Sequence, residues 1–315
     1  MKKAAVINDL SGFGKCSLTA AIPVLSALGV QCCPLATAVL TGQTGYPYYH
    51  CTDLTEMMPQ YMDAWKKNGA AFDAIYSGFL TGKEQITQVL TFIEEFRTRD
   101  TLLLVDPVMG DDGSAYPFFS DELLDGMRAL TKKADVITPN LTEACLLAGV
   151  SPDISGNGED ALLAFAEEIA WQLREQAEVP QDVVVTGIKC RTETEPSIYN
   201  IAATADGIFR HHSPFFDRSF SGTGDLFASV LCGCRVNGMR TEDAIVLAGK
   251  FLSHSIADTM KADTPGRDGV NFEKYLIDLI KCVELWGARH PVDVCSAPTE
   301  AKRRLAQQRS NSCIK

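Results

Sequence analysis

Apolar residues fall along this chain in two alternating rhythms. Short runs rich in Val, Ile and Leu, without strict apolar–polar alternation, predict strands buried on both faces: "AAVIN" (4–8), "QCCPLAT" (31–37), "DAIYSGF" (73–79), "TLLLVDPVM" (101–109), "DVITPN" (135–140) and "DVVVTGI" (182–188). Between them, apolar positions at helical spacing predict helices near 17–28, 53–67, 83–97, 120–130, 141–148 and 159–176. Strands alternating with helices imply an α/β fold with a mostly parallel sheet. After residue 196 the rhythm changes. "SIYNIAATADGIFRHH" (197–212) reads as two strands about a turn at Asp206-Gly207. Helices are expected to follow near 224–237, 241–260 and 271–285. No long linker divides the chain, so residues 1–295 are expected to form one domain, with a polar tail over 296–315.

In an open parallel sheet, ligands bind beyond the carboxyl ends of the strands. Here those ends are Asn8-Asp9, Thr37, Ser77-Gly78-Phe79, Asp106 to Asp111, Thr138-Pro139-Asn140 and Thr186-Gly187. Each alone is ordinary turn chemistry. Together they gather hydroxyls, amides and carboxylates at one edge.

Three stretches carry specific chemistry. "SFSGTGDLFASVL" (219–231) opens an apolar helix with Gly222, Thr223 and Gly224, although glycine disfavours helix. Such a start lets free backbone N–H groups approach an anion, aided by the helix dipole. Asp225 in the first turn is then placed to take a proton from an attacking hydroxyl. Equally, the glycines could form a tight turn and Asp225 a favourable first-turn charge. "LVDPVMGDDG" (104–113) puts Asp106 at a strand end with Asp111 and Asp112 following, and carboxylates near phosphate hold Mg²⁺ directly or through water. "ITPNLTEACLL" (137–147) sets Asn140 and Glu143 three apart, as a capping box does, while aiming both at the same region. "LSGFGKCSL" (10–18) is neither a P-loop nor a dinucleotide fingerprint, because the glycine spacing fails both.

Composition narrows the partners. The 315 residues are 46% hydrophobic and 22% charged, with a formal net charge of −11. That balance argues against nucleic acid or an anionic membrane surface, but not against a small anionic ligand bound through amides or Mg²⁺. The N-terminal apolar run is broken at Asp9 and Gly12 before a signal-peptide core forms, and no run reaches spanning length. The 11 cysteines lack zinc spacing, including Cys32-Cys33 and the "CGC" at 232–234, and read as buried or partly buried free thiols in a reducing, cytoplasmic setting. The five histidines show no metal spacing, and His211-His212 reads as a solvated strand end.

"GTGD" opening a late helix, "DPVMGD" at a strand end and "TPNLTE" after the next strand together resemble the ribokinase-like superfamily of small-molecule kinases. "VINDLSGFGKCSLTAAIPVLSALG", "TGQTGY" (41–46), "YSGFLTG" (76–82) and "SGTGDLFASVL" are similar, in order, to the vitamin B6 (pyridoxal/pyridoxine) kinases across residues 4–260. The resemblance implies a three-layer ribokinase-like sandwich, with a mostly parallel central sheet flanked by helices, assembled as a homodimer. It implies transfer of the ATP γ-phosphoryl group to a hydroxymethyl group on a heteroaromatic ring. By motif position, Asp225 is the base and Gly222, Thr223 and Gly224 the anion hole. Asp106, Asn140 and Glu143 fall where the family organises Mg²⁺ and phosphates. Asp111, Thr138 and Thr186 fall near nucleotide phosphates or a monovalent cation (K⁺ or Na⁺), and Asp9, Thr44 and Phe79 face the acceptor ring. The segment 211–220 corresponds to a flap near ATP. Asp9 and Phe79 depart from the Ser and Tyr common in the family. The hydroxymethylpyrimidine of thiamine synthesis therefore stays open as the alternative acceptor. A non-catalytic nucleotide or vitamin sensor is the rival class, disfavoured because a binder has no need of the base.

Overall fold

The computed structural model describes residues 1–116, 119–151, 158–190 and 196–289. The tail over 296–315 lies outside them. In chain order the elements are β1 (Lys2–Ser11), α1 (Ser17–Ala27), β2 (Val30–Leu40), β3 (Cys51–Asp53), α2 (Met58–Lys67), β4 (Ala74–Ser77), α3 (Lys83–Phe96), β5 (Leu102–Val105), β6 (Gly110–Asp111), β7 (Ser114–Ala115), α4 (Asp121–Thr131), β8 (Val136–Ile137), α5 (Leu141–Ala148), α6 (Gly158–Glu175), β9 (Asp182–Cys190), β10 (Ser197–Thr204), β11 (Gly207–Pro214), α7 (Thr223–Val236), α8 (Thr241–Lys261) and α9 (Leu276–Arg289).

Nine strands form one sheet in the order β11-β10-β9-β8-β5-β4-β1-β2-β3. The pairings from β9 through to β2 are parallel, and β3, β10 and β11 run antiparallel at the edges. Side chains alternate across the sheet, as the strand period requires. In β1, Ala5 and Ile7 join the core under α2 to α6, while Ala4 and Val6 join the core under α1, α7, α8 and α9. All four are fully buried, which explains why the strands read as unbroken apolar runs. The result is the expected three-layer ribokinase-like arrangement.

Several boundaries differ from the sequence reading. The run at 101–109 stops pairing at Val105, because Pro107 has no N–H to donate and residues 106–109 turn out of the sheet. The run at 135–140 keeps only Val136–Ile137, interrupted by Pro139, with one isolated bridge from Asn140 to Thr186. β1 and β2 run longer than expected, and the helix expected over 53–67 is a 3-10 turn (Thr55–Met57) followed by α2. β3 and the β6–β7 hairpin are too short and polar to leave an apolar signature. His211 lies inside β11 rather than at a solvated end. Its half-buried ring rests over Gly249 of α8, where any Cβ would overlap it. Cys51 is exposed, unlike the other free thiols described.

The topology fixes where a site can form. From β1 the chain proceeds to β2 on one side, and β4 then returns on the other, so strand order reverses at β1. A cleft opens at such a reversal beyond the carboxyl ends of the strands. Asn8 and Asp9 of β1, Gly78 and Phe79 after β4, and Asp106 after β5 all lie there.

Candidate active site

The start of α7 closes this cleft. Gly222 caps the helix at φ 79°, a left-handed conformation, and a Cβ there would overlap the Lys15 carbonyl oxygen. At Gly224 nothing lies within 4 Å of where a Cβ would stand, so the helix start is open on that side. The first N–H groups of α7 have no partner within the helix and are available to a ligand. Thr223 Oγ1 donates to the Phe220 carbonyl at 3.2 Å, bracing the turn that precedes them.

These residues form one wall of a cavity of about 580 Å³. The same cavity is lined by Gly222, Thr223, Gly224, Asp225, Asp106, Asp111, Thr138, Asn140, Glu143 and Thr186, which brings together every residue expected to serve the base, the nucleotide or a cation. Its other wall is more apolar, with Ile198, Phe215, Phe216, Leu252 and Ile256. Residues 214–216 and 218–220 also line it, so the segment expected to form a flap does border the cavity.

The three residues expected to face an acceptor ring do not line it. Asp9 is buried and accepts a hydrogen bond from Ser11 Oγ at 2.8 Å. Phe79 is half-buried, and its carbonyl accepts from Thr37 Oγ1 at 3.0 Å. Thr44 is exposed in the turn after β2. That turn is fastened to the loop before α9: Gln43 Nε2 donates to the Arg267 carbonyl at 2.8 Å, and the Tyr46 hydroxyl donates to Asp268.

Asp106 and Glu143 are buried and Asp225 half-buried along the cavity, with the Asp106 charge felt between the other two. Burial, and then the Asp225 charge, push the Asp106 carboxyl up to about 7, while Thr138 Oγ1 donates to it at 2.9 Å. Burial also raises Asp225 to about 6, with Asp9 adding to the rise and the Ser17 amide and Asn8 side chain opposing it. Glu143 is pushed well above the usual carboxylate range by burial and by Asp106. Both Glu143 oxygens are occupied. Oε1 accepts from the Met109 amide at 3.1 Å and Oε2 from the Asn140 amide at 2.9 Å. Asn140 Oδ1 in turn accepts from the Glu143 amide at 3.0 Å, which completes a capping box at the start of α5. Glu143 thus caps a helix and lines the cavity wall at once. Among the described residues no group of three or more His, Cys, Asp or Glu side chains is placed to hold a metal.

Sequence reasoning gave no role to four polar side chains, although it placed Asn8 at a strand end facing the ligand edge. Asn8 is fully buried and donates from Nδ2 to Asp225 Oδ1 at 3.1 Å. Lys189, Arg218 and Arg267 bring positive charge to the cavity. Lys189 pairs with Asp112, Arg218 with Asp263 at 3.3 Å, and Arg267 stacks over the Tyr46 ring at 5.5 Å. Asn8 had a faint signal, as a polar residue directly after a fully apolar strand run. The three cations had none, since scattered Lys and Arg are the rule on any surface.

A mostly parallel sheet reversing at its central strand, and a glycine-opened helix presenting amides and a carboxylate to further buried carboxylates, define a ribokinase-like phosphotransferase. The chain belongs to the phosphomethylpyrimidine kinase family, whose model matches residues 14–268. A curated Bordetella avium relative, a pyridoxine/pyridoxal/pyridoxamine kinase, is 29% identical over 269 residues, covering 81% of this chain and 86% of its own. Among solved structures, a Bacteroides thetaiotaomicron protein described as a phosphomethylpyrimidine kinase, in a crystal form with pyridoxal, is 38% identical. It superposes with a TM-score of 0.80 over 88% of this chain and 95% of that one. Pyridoxal kinase from Lactobacillus plantarum is 28% identical, with a TM-score of 0.80 over 90% of this chain and 99% of that one.

Proposed function

We propose that this chain transfers the γ-phosphoryl group of ATP to the hydroxymethyl group of a vitamin B6 vitamer, giving its 5′-phosphate. The observation that carries this reading is Asp225. It stands at the amide-bearing start of α7, where the amides can hold a phosphoryl group while the carboxylate takes the proton of the attacking hydroxyl. A carboxyl raised to about 6 is ionised at neutral pH yet basic enough to accept that proton. The apolar wall at Ile198, Phe215, Leu252 and Ile256 suits the purine, and Thr186, Asn140 and Lys189 suit the phosphate chain. Asp9 and Phe79, whose amides bind Asn8 Oδ1 on the side away from the base, and Thr44 in the turn after β2, are assigned to the acceptor side.

Oxygen donors fit Mg²⁺, which takes one or two carboxylates and completes its shell with phosphate and water. Asp106 would hold it directly, since Thr138 engages only one of its oxygens, and Glu143 through water, since both of its oxygens accept from amides. Bound there, the ion would neutralise phosphate charge and relieve the repulsion among the three carboxylates. A K⁺ or Na⁺ beside Asp111 and Thr138, and a homodimeric assembly, belong to the same proposal.

The family description points to a pyrimidine acceptor, which keeps hydroxymethylpyrimidine as a second reading. The B6 reading is preferred because the Bacteroides relative under that same description was solved with pyridoxal, and the curated relatives are B6 kinases. ATP consumption with pyridoxal, pyridoxine, pyridoxamine and hydroxymethylpyrimidine tests it. Turnover of at least one B6 vitamer is expected. Turnover of the pyrimidine alone would replace the acceptor, and none with any of the four would favour the sensor.

A further inference from the structure

Among the described residues Asn8 is the side chain that donates a hydrogen bond to the Asp225 carboxylate, and its own orientation is fixed. It is fully buried at the carboxyl end of β1, 217 residues before its partner. Its Oδ1 accepts from two backbone amides, those of Asp9 and Phe79, both at 2.9 Å. An oxygen that receives two N–H donors leaves no ambiguity about which end of the amide is which. The NH₂ end must therefore face Asp225, where it donates to Oδ1 at 3.1 Å. The rotamer is locked from behind as well, since a Cβ on Gly78 would overlap the Asn8 amide.

We propose that Asn8 is the positioning residue of the base: it holds the Asp225 carboxylate in one orientation at the start of α7 and ties that orientation to the two residues, Asp9 and Phe79, on the acceptor side. The proposal rests on the phosphotransferase reading above, and it deepens it. Through a single side chain, a shift of β4 relative to β1 reaches the base. The other titratable groups whose charge reaches Asp225 are Asp9 on β1, Cys16 at the start of α1, Tyr76 on β4, Asp106 after β5 and Tyr116 after β7. None of them carries a positive charge, and the carboxylate accepts from the Asn8 side chain and the Ser17 amide.

Asn8→Asp separates positioning from mere packing. It keeps an oxygen for the Asp9 and Phe79 amides and changes only the atom that faces Asp225, from a donor to a second carboxylate oxygen. A packing role predicts wild-type kinetics. Positioning predicts that kcat with ATP and the accepted vitamer falls by about 10–100-fold, the worth of a hydrogen bond to a charged group, while KM for ATP stays within about threefold. The acid limb of kcat should also move to higher pH by about one unit, because a like charge disfavours ionisation. Asn8→Ser, which loses the reach without adding charge, should show the same kcat loss and covers the case that Asn8→Asp does not fold. A carboxyl ¹³C NMR titration reads the contact without turnover: the Asp225 pKa should rise in Asn8→Ser relative to the wild type. Wild-type kcat in both variants, or an unchanged Asp225 titration, overturns the proposal. A wild-type protein inactive on all four acceptors would instead strike the functional reading, with the titration still deciding the role of Asn8.

Discussion

At the residue scale, the proposed base is Asp225. Asp225→Asn should leave the fold and ATP binding intact and lower phosphoryl transfer by about 10²–10⁴-fold, the usual contribution of a positioned base. Calorimetric ATP titration beside steady-state rates checks both halves, and wild-type turnover would remove Asp225 from the mechanism. The base must be ionised, and burial holds its carboxyl at about 6. Turnover should accordingly fall as pH drops through about 6 and level off above it. Asp9 adds to that rise, so Asp9→Asn should move the acid limb to lower pH. A pH–rate profile of the two proteins measures the displacement, and a shift in the opposite sense would mean that Asp9 does not act on the base by charge.

At the scale of elements, the two glycines of α7 make opposite predictions from the same substitution. Gly222→Ala places a methyl group against the Lys15 carbonyl in a left-handed conformation, and should lower the melting temperature as well as the rate. Gly224→Ala meets open space, and should melt like the wild type while raising KM for ATP, because the methyl group projects where the ligand comes close. Equal melting temperatures for both would contradict this account. The same helix shows what was legible in the chain. "GTGD" was legible as the glycine-opened start of α7, and α5, with its capping box, was read to its ends at 141 and 148. The strands were found wherever they were buried on both faces, since such runs are apolar throughout. Their ends were misjudged where proline cut the pairing, at Pro107 and Pro139, because hydrophobicity continues past the last hydrogen bond. Asn8 and the cavity cations stayed illegible for another reason. Their partners lie far along the chain, and no local pattern encodes a contact such as that from Asn8 to Asp225.

Over the whole molecule, the cavity sets a stability cost that varies with pH. Asp106 and Asp225 titrate at about 7 and about 6 in the fold, against an ordinary value of 3.8, so the folded chain binds protons more tightly than the unfolded one. Their contribution is fully stabilising below about 3.8 and is lost as pH rises through about 6 to 7. The nucleotide-free protein should therefore lose melting temperature from pH 5.5 to pH 8 by these groups. Asp106→Asn should flatten that slope and melt higher than the wild type at pH 8, while losing turnover. Scanning calorimetry across pH tests this, and an Asp106→Asn protein less stable at pH 8 would refute it. The seat of Gly222 on the Lys15 carbonyl has a consequence in time. One half of the site is made at the start of synthesis, with β1 and the loop after it, and the other half only when α7 has left the ribosome some two hundred residues later. Until then the cleft at β1 has neither its base nor its amides, and the buried partner of Asn8 does not exist. A nascent chain halted before residue 222 lacks α7, and so lacks the wall of the cavity that Gly222 to Asp225 supply. On the proposed reading, competence arrives only once the chain has passed α7, because the two halves of the site are far apart in sequence.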